Sequence, residues 1–221
     1  LSKSFFVEGN LVKTNRLGRS GIAVSEICMG TMTFGTGADE KTAFEILDRS
    51  FDAGIDFFDT AENYPVPPDA KYAGLTEEIV GRWMKTKSRD SLIIATKVSG
   101  PSHGWIKAAV RDGKTALDRH NIIRAVEVSL KKLQTDYIDI YQLHEGGYDV
   151  KLALELQVIL EELVSAGKVR WYGWSTDSAD HARVFADGEH CTSIQFRLNA
   201  IYDNADMRKV CADFDLAGIN K

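Results

Sequence analysis

The stretch GIDFFDTAENY, Gly54 to Tyr64, decides how this sequence is read. Ile55, Phe57 and Phe58 crowd apolar bulk into a few positions, as a strand buried on both faces requires. The run then ends on a carboxylate, Asp59, and a phenol, Tyr64, follows five positions later. A buried strand that finishes on an acid and sends a tyrosine along the loop leaving it points to a site at its C-terminal edge.

Working outward, apolar strand-like runs alternate with helical patterns. The first strand is expected over Ile22–Gly30 and a helix over Ala38–Ala53. IDFFDT is the second strand, followed by the Pro-rich loop YPVPPDAKYAG and a helix over Leu75–Lys87. SLIIATKV, YIDIYQLH, KVRWYGWS, SIQFRLN and DLAGIN give strands three to seven. Helices are expected between them over Asp118–Leu133, Val150–Ala166, Ala179–Ala186 and Ala205–Phe214. Thr76 with Glu77 and Glu78 reads as one helix start, Asp118 as another, and Gly167-Lys168 as a helix end. Ahead of the first strand, FFVEGNLVKTNRLGRSG reads as a hairpin turning at Gly9-Asn10.

Strands alternating with helices imply βαβ units and a parallel sheet. An open dinucleotide-binding sheet should carry G-x-G-x-x-G at its first strand-to-helix turn, and GTMTFGTGADE does not fit that spacing. Gly113-Lys114-Thr115 lacks the upstream glycine of a phosphate loop. The regular repeat therefore favours an α/β fold of the (β/α)₈ barrel type, incomplete here with about seven strands and an N-terminal β-hairpin. No linker or low-complexity block interrupts residues 1–221, so one domain is expected, with the last barrel unit outside it.

A net charge of −5 gives no basic footprint for nucleic acid or an anionic membrane surface. Cys28, Cys191 and Cys211 are far apart and show no metal-ligand spacing, so no metal is expected. Sparse, odd-numbered cysteines suit a reducing compartment, and no apolar run approaches a membrane span or a signal peptide, which makes the cytoplasm the expected location.

The strand ends carry the chemistry. Strand two ends on Asp59, strand three on Lys97 and strand four on His144, with Tyr64 on the loop leaving strand two. In a parallel barrel these edges share one mouth, where active sites are built. Singly, an Asp can form a turn, a Lys can reach for water and a His can be a satisfied structural group. Together they suit one reaction. A phenol with an ordinary pKa of about 10 needs a nearby ammonium to favour proton release. A carboxylate holds that ammonium, and a histidine can orient a carbonyl oxygen. Reduction of C=O to CH–OH fits, and since no side chain supplies hydride, a nicotinamide cofactor is required.

With these residues in place, GIDFFDTAENY, LIIATKV, TDYIDIYQLH and GKVRWYGWS resemble the aldo-keto reductase superfamily, in its order and from about Arg16 onward. The resemblance implies a (β/α)₈ barrel, NADPH as cofactor, a small-molecule carbonyl substrate, and a tetrad of Asp59, Tyr64, Lys97 and His144 with Tyr64 as general acid. It further implies cofactor contacts at Thr31, Met32, Asp59, Ser175 and Gln195. Ser175-Thr176 stands where the family has Ser-Asn, and Lys221 aligns with the family residue that stacks on the nicotinamide. Trp105 and Tyr148 are expected to wall the substrate pocket. The long loop after strand two resembles a bacterial NADPH-dependent branch. The sequence reaches Asn220-Lys221 ahead of the family segment that holds the pyrophosphate and 2′-phosphate, so NADP preference is implied by the resemblance alone. The same resemblance leaves an alternative: a cofactor-binding regulatory subunit like those that accompany potassium channels.

Overall fold

A computed structural model describes residues 12–67, 69–100 and 117–221. Two short antiparallel strands, β1 (Thr14–Arg16) and β2 (Ala23–Ser25), precede a seven-stranded sheet. Its strands are β3 (Cys28–Gly30), β4 (Phe57–Asp59), β5 (Ile93–Ser99), β6 (Ile138–His144), β7 (Val169–Ser175), β8 (Cys191–Phe196) and β9 (Ala217–Asn220). Every strand pairs in parallel with its successor in sequence. Helices α1 (Glu40–Asp52), α2 (Leu75–Met84), α3 (Arg119–Leu133), α4 (Val150–Ser165), α5 (Ala179–Phe185) and α6 (Ala205–Asp213) fill the crossovers. This is a nearly closed barrel with its helices outside, and β3 and β9 are the sheet's two edges.

Two apolar clusters follow from strand alternation. Phe57, Ile93, Ala95, Ile140 and Ile219 point inward and fill the barrel with Leu17 from the hairpin. Phe58, Ile94, Val98, Tyr141, Leu143 and Trp174 point outward and pack under the helices. Burying both faces is why these strands read as near-continuous apolar runs.

The hairpin closes the end of the barrel where the strands begin. Thr192 Oγ donates to the Leu17 carbonyl (2.8 Å), and Arg16 pairs with Asp215 (2.7 Å) just before β9. Gly18, at φ +51°, is the closest approach: a Cβ there would lie 2.2 Å from the Thr192 carbonyl oxygen. Only glycine fits that contact.

Two expectations are corrected, the first strand and the Thr76 cap. The single strand over Ile22–Gly30 is two, β2 in the hairpin and β3 in the barrel. The break is built by Ser25 and Asp56. The Ser25 N–H donates to Asp56 Oδ1 (2.8 Å), and the Ser25 hydroxyl donates across the bend to the Ile27 carbonyl (2.7 Å). The described hairpin turns between Leu17 and Ile22, whose backbone groups bond at 2.9 Å; the Gly9-Asn10 turn lies outside the described residues. Thr76 is not a helix cap. Gly74 precedes α2, and the buried Thr76 hydroxyl donates to the Phe34 carbonyl (2.8 Å). By contrast, Asp118 does cap α3, accepting from the Asn121 N–H at 2.8 Å, and Gly167 follows α4 at φ +70°.

Glu77, in the first turn of α2, turns under the sheet. It is fully buried and accepts from the Thr96 hydroxyl (2.7 Å). Burial pushes its pKa up to about 7 against the pull of its hydroxyl partners. A carboxyl whose folded pKa is raised favours the folded state below its unfolded pKa and loses that contribution as pH climbs through the folded value. Stability should therefore fall from about pH 4.5 to about pH 7 by up to about 3 kcal/mol from this group alone. Glu77→Gln should flatten that slope in urea unfolding measured across the pH series; an unchanged slope would show that Glu77 does not titrate in this window.

Candidate active site

The barrel's stagger aims the strand ends at one another. Asp59 stands level with Ala95, Lys97 with Gln142, and Ser99 with His144. Each strand thus reaches further toward the mouth than its predecessor, and the inward residues climb with it. Lys97 is fully buried and its chain turns back toward β4. Its ammonium donates to Asp59 Oδ2 (2.5 Å) and to the Thr60 carbonyl (2.8 Å). Gln142, one pleat below His144 on the same face, places its Nε2 3.4 Å from Asp59 Oδ1.

Tyr64 is also buried, and its ring centre lies 5.0 Å from the Lys97 ammonium. The His144 ring meets it edge-on, with centres 5.9 Å apart. Four contacts hold the loop that carries the phenol. The Glu62 N–H donates to the Lys97 carbonyl (3.2 Å) and the Tyr64 N–H to Ala61 (3.1 Å). The Val66 N–H donates to Met32 (2.7 Å), and the Glu62 carboxylate accepts from the Ser99 N–H (2.6 Å). Because Tyr64 is two residues from Glu62, and Lys97 two from Ser99, the last bond ties the phenol's loop to the lysine's strand.

Electrostatics divide the roles. Burial works to lower the Lys97 pKa, but Asp59, with Tyr64 and Cys28 behind it, outweighs that and holds the ammonium above its usual range. Burial raises the Tyr64 pKa; Lys97 pulls it down and Asp59 pushes it up, and the net shift is upward. The lysine thus acts in the expected sense but is outweighed by burial. Burial, with the positive charges of Lys97 and Lys221, holds His144 well below the ordinary histidine range and so neutral. Among the described residues its buried Nδ1 has no hydrogen-bond partner.

Tyr64, His144 and Asp59 line a cavity of about 480 Å³ together with Cys28, Thr31, Met32, Gln195 and Lys221. Ser175 reaches it through Lys221, whose ammonium donates to the Ser175 hydroxyl (3.1 Å). Other sequence candidates lie elsewhere. Tyr148 donates to the Leu117 carbonyl (3.0 Å), packs against the outer core and does not line this cavity. Trp105 lies outside the described residues. Thr176 is committed to structure, its hydroxyl donating to the Gly146 carbonyl (2.8 Å) and its N–H to Gln195 (3.0 Å). Near the other end of the barrel Glu161, Glu189 and His190 gather within metal-ligand distance. There Glu161 already accepts from the Tyr172 hydroxyl (2.6 Å) and the His190 ring (2.6 Å), closing the network on itself.

Sequence reading missed Glu62 and Gln142. Strand period alone would have found Gln142, which shares the inward face with His144. Glu62 sits inside the decisive stretch, but its bond to Ser99 depends on how the loop folds back.

The sequence pattern of the Aldo/keto reductase family matches residues 26–220. The chain belongs to this family. Its members are oxidoreductases that act on carbonyl groups with a nicotinamide cofactor. The chain is 43% identical over 182 residues to Protein tas of Escherichia coli (strain K12), covering 75% of this chain and 52% of that protein. It is 41% identical over 171 residues to the uncharacterized oxidoreductase YrpG of Bacillus subtilis (strain 168), covering 75% and 49%. The chain thus spans about half the length of the curated relatives it matches. Among solved structures, the holo form of aldo-keto reductase AKR11C1 from Bacillus halodurans superposes with a TM-score of 0.78 at 32% identity, covering 95% of this chain and 65% of that one.

The buried ion pair gives a direct test. Removing one partner of such a pair strands the other charge and typically costs about 3–5 kcal/mol. Lys97→Met should destabilise the fold by that order in urea unfolding, and adding Asp59→Asn should recover part of the loss. Losses that simply add would mean the two side chains do not interact.

Proposed function

We propose that this protein reduces an aldehyde or ketone to an alcohol with NADPH, and that Tyr64 donates the proton. The observation that carries the reading is the fully buried Lys97 ammonium, 2.5 Å from Asp59 and 5.0 Å from the Tyr64 ring, at the mouth of a barrel. The cavity suits a nicotinamide. It is large enough for a flat ring and a small carbonyl compound, it offers the Gln195 amide and Ser175 hydroxyl beside apolar carbon, and the orphaned Nδ1 of His144 is buried close by. When bound, the reduced nicotinamide supplies hydride to the carbonyl carbon.

The chain's own residues do the rest. His144, held neutral, orients the carbonyl oxygen without adding charge. Tyr64 keeps its proton through neutral pH because burial raises its pKa, so it stands ready as an acid. As hydride reaches the carbon, negative charge gathers on the oxygen; the phenol proton moves to it and the alcohol forms. The transient phenolate lies against the Lys97 ammonium, which Asp59 keeps charged and in place. Thr31, Met32, Ser175 and Gln195 hold the cofactor. The site needs neither metal nor nucleic acid. Among the described residues no helix is long and apolar enough to cross a membrane, and we assign the protein to the cytoplasm.

Residues 1–221 are assigned to one domain, with the barrel closed between β9 and β3 by a unit outside these residues. Among the described residues each of these strands pairs on one side alone, and a groove of about 310 Å³ lined by Cys28, Phe57, Gly218 and Ile219 runs beside them. Intact mass of the natural protein tests this: a mass well above that of 221 residues is expected, and a mass equal to it overturns the assignment.

Steady-state and binding measurements test the function. Proton transfer from a placed side chain contributes about 10²–10⁴-fold, so Tyr64→Phe should lower kcat by that order while NADPH still binds. Parent-level turnover in Tyr64→Phe would remove Tyr64 from the role. NADPH binding with negligible turnover of any aldehyde by the unmodified protein would favour the regulatory-subunit reading.

A further inference from the structure

We propose that Glu62 is a positioning residue for the reaction: by taking the Ser99 N–H on its side chain, it lets the backbone leave β5 and so turns Tyr64 into the cavity. This rests on the reductase reading and adds to it the device that sets where the acid stands.

The pairing of this segment with β5 keeps a constant offset of 37 residues, the separation of Asp56 from Ile93 and of Glu62 from Ser99. The Ile93 N–H donates to the Asp56 carbonyl (2.8 Å). The return bonds run from the Thr60 N–H to Ala95 (2.9 Å) and from the Glu62 N–H to Lys97 (3.2 Å). Continued by the same offset, the Ser99 N–H would meet the backbone carbonyl of Glu62. It meets the Glu62 carboxylate instead, at 2.6 Å. Both residues are buried. Burying a carboxylate costs more than burying a peptide carbonyl, and the carbonyl could have taken that N–H. The side chain therefore does something that the carbonyl would not.

What it changes is the path of the chain. A backbone bond at residue 62 would carry the segment straight on along β5. With the side chain bonded in its place, the backbone turns, and the Ala61 carbonyl accepts from the Tyr64 N–H (3.1 Å). The Val66 N–H then reaches the Met32 carbonyl (2.7 Å), just past β3. The loop thus spans from β5 on one side of β4 to β3 on the other. Tyr64 stands midway between these two anchors, its ring 5.0 Å from the Lys97 ammonium and edge-on to His144. Glu62 is the anchor on the strand that carries Lys97. Displacing a reacting group by about 1 Å can cost on the order of 10²-fold in rate.

The test compares Glu62→Ala with Glu62→Gln in the intact protein, with NADPH and para-nitrobenzaldehyde. Glutamine keeps an oxygen for the Ser99 N–H; alanine does not. In Glu62→Ala kcat should fall about tenfold or more, and in Glu62→Gln it should stay within about threefold of the parent, with the NADPH Kd held in both. Parent-level kcat in Glu62→Ala overturns the proposal. So does an equal loss in both variants, because the buried charge would then matter and not the bond. A loss explained by weaker NADPH binding overturns it as well. Carbon-13 NMR of ring-labelled tyrosine reads the same device without turnover: the Tyr64 signal should shift in Glu62→Ala and hold in Glu62→Gln. If Glu62→Ala does not fold, Glu62→Asp decides. It keeps the charge but is one methylene short, so kcat should fall and the Tyr64 signal should shift; parent values for both overturn the proposal. Absence of turnover by the parent counts against the reductase reading alone, while the Tyr64 signal still decides the role of Glu62.

Discussion

A fully buried ammonium is among the most expensive groups a barrel can hold, and Lys97 is tolerable only because Asp59 and the Thr60 carbonyl meet it at hydrogen-bond distance. That requirement constrains much around it. β4 must stop at Asp59 so that its carboxylate faces inward beside β5. The chain must then run along β5 long enough for the Thr60 carbonyl to turn toward the ammonium. The backbone shows this: the Thr60 and Glu62 N–H groups donate to Ala95 and Lys97 at 2.9 and 3.2 Å, extending the pairing past the strand's formal end. Tyr64 arrives where it does as a result. The same charge that must be paired for folding is the one that would steady a phenolate in the reaction.

The parts of the fold that follow from period and burial were legible in the sequence. Ile93–Ser99 is buried along its whole length because core lies on both faces, and the ends of it, Ile138–His144 and Val169–Ser175 place Lys97, His144 and Ser175 on one rim. What was not legible depended on contacts between distant segments. Ile22–Gly30 reads as one strand by composition; its break comes from the pairing of Ser25 with Asp56, thirty-one residues away. Thr76 and Glu77 have the composition of a helix start, yet both turn inward to partners on other segments. Tyr148 is near the mouth in sequence but spends its hydroxyl on Leu117.

The two ends of the barrel do different work. Where the strands begin, the hairpin, Gly18 and the Arg16–Asp215 pair close the structure with tight backbone contacts. Where they end, among the described residues, His144 Nδ1, the Gln142 carbonyl oxygen and the Thr60 hydroxyl are buried without hydrogen-bond partners. Buried unsatisfied groups beside a cavity are capacity for a ligand. Family membership agrees with that polarity.

The central claim is that the Lys97 ammonium, held by Asp59, draws the Tyr64 pKa down from where burial alone would put it. Carbon-13 NMR of ring-labelled tyrosine, with Tyr64 assigned by its Phe variant, measures this directly across a pH titration. The account predicts that Tyr64 titrates above the ordinary value of about 10, and higher still once Lys97 is replaced by methionine. A Tyr64 pKa that does not move on that replacement, or that moves down, would contradict it.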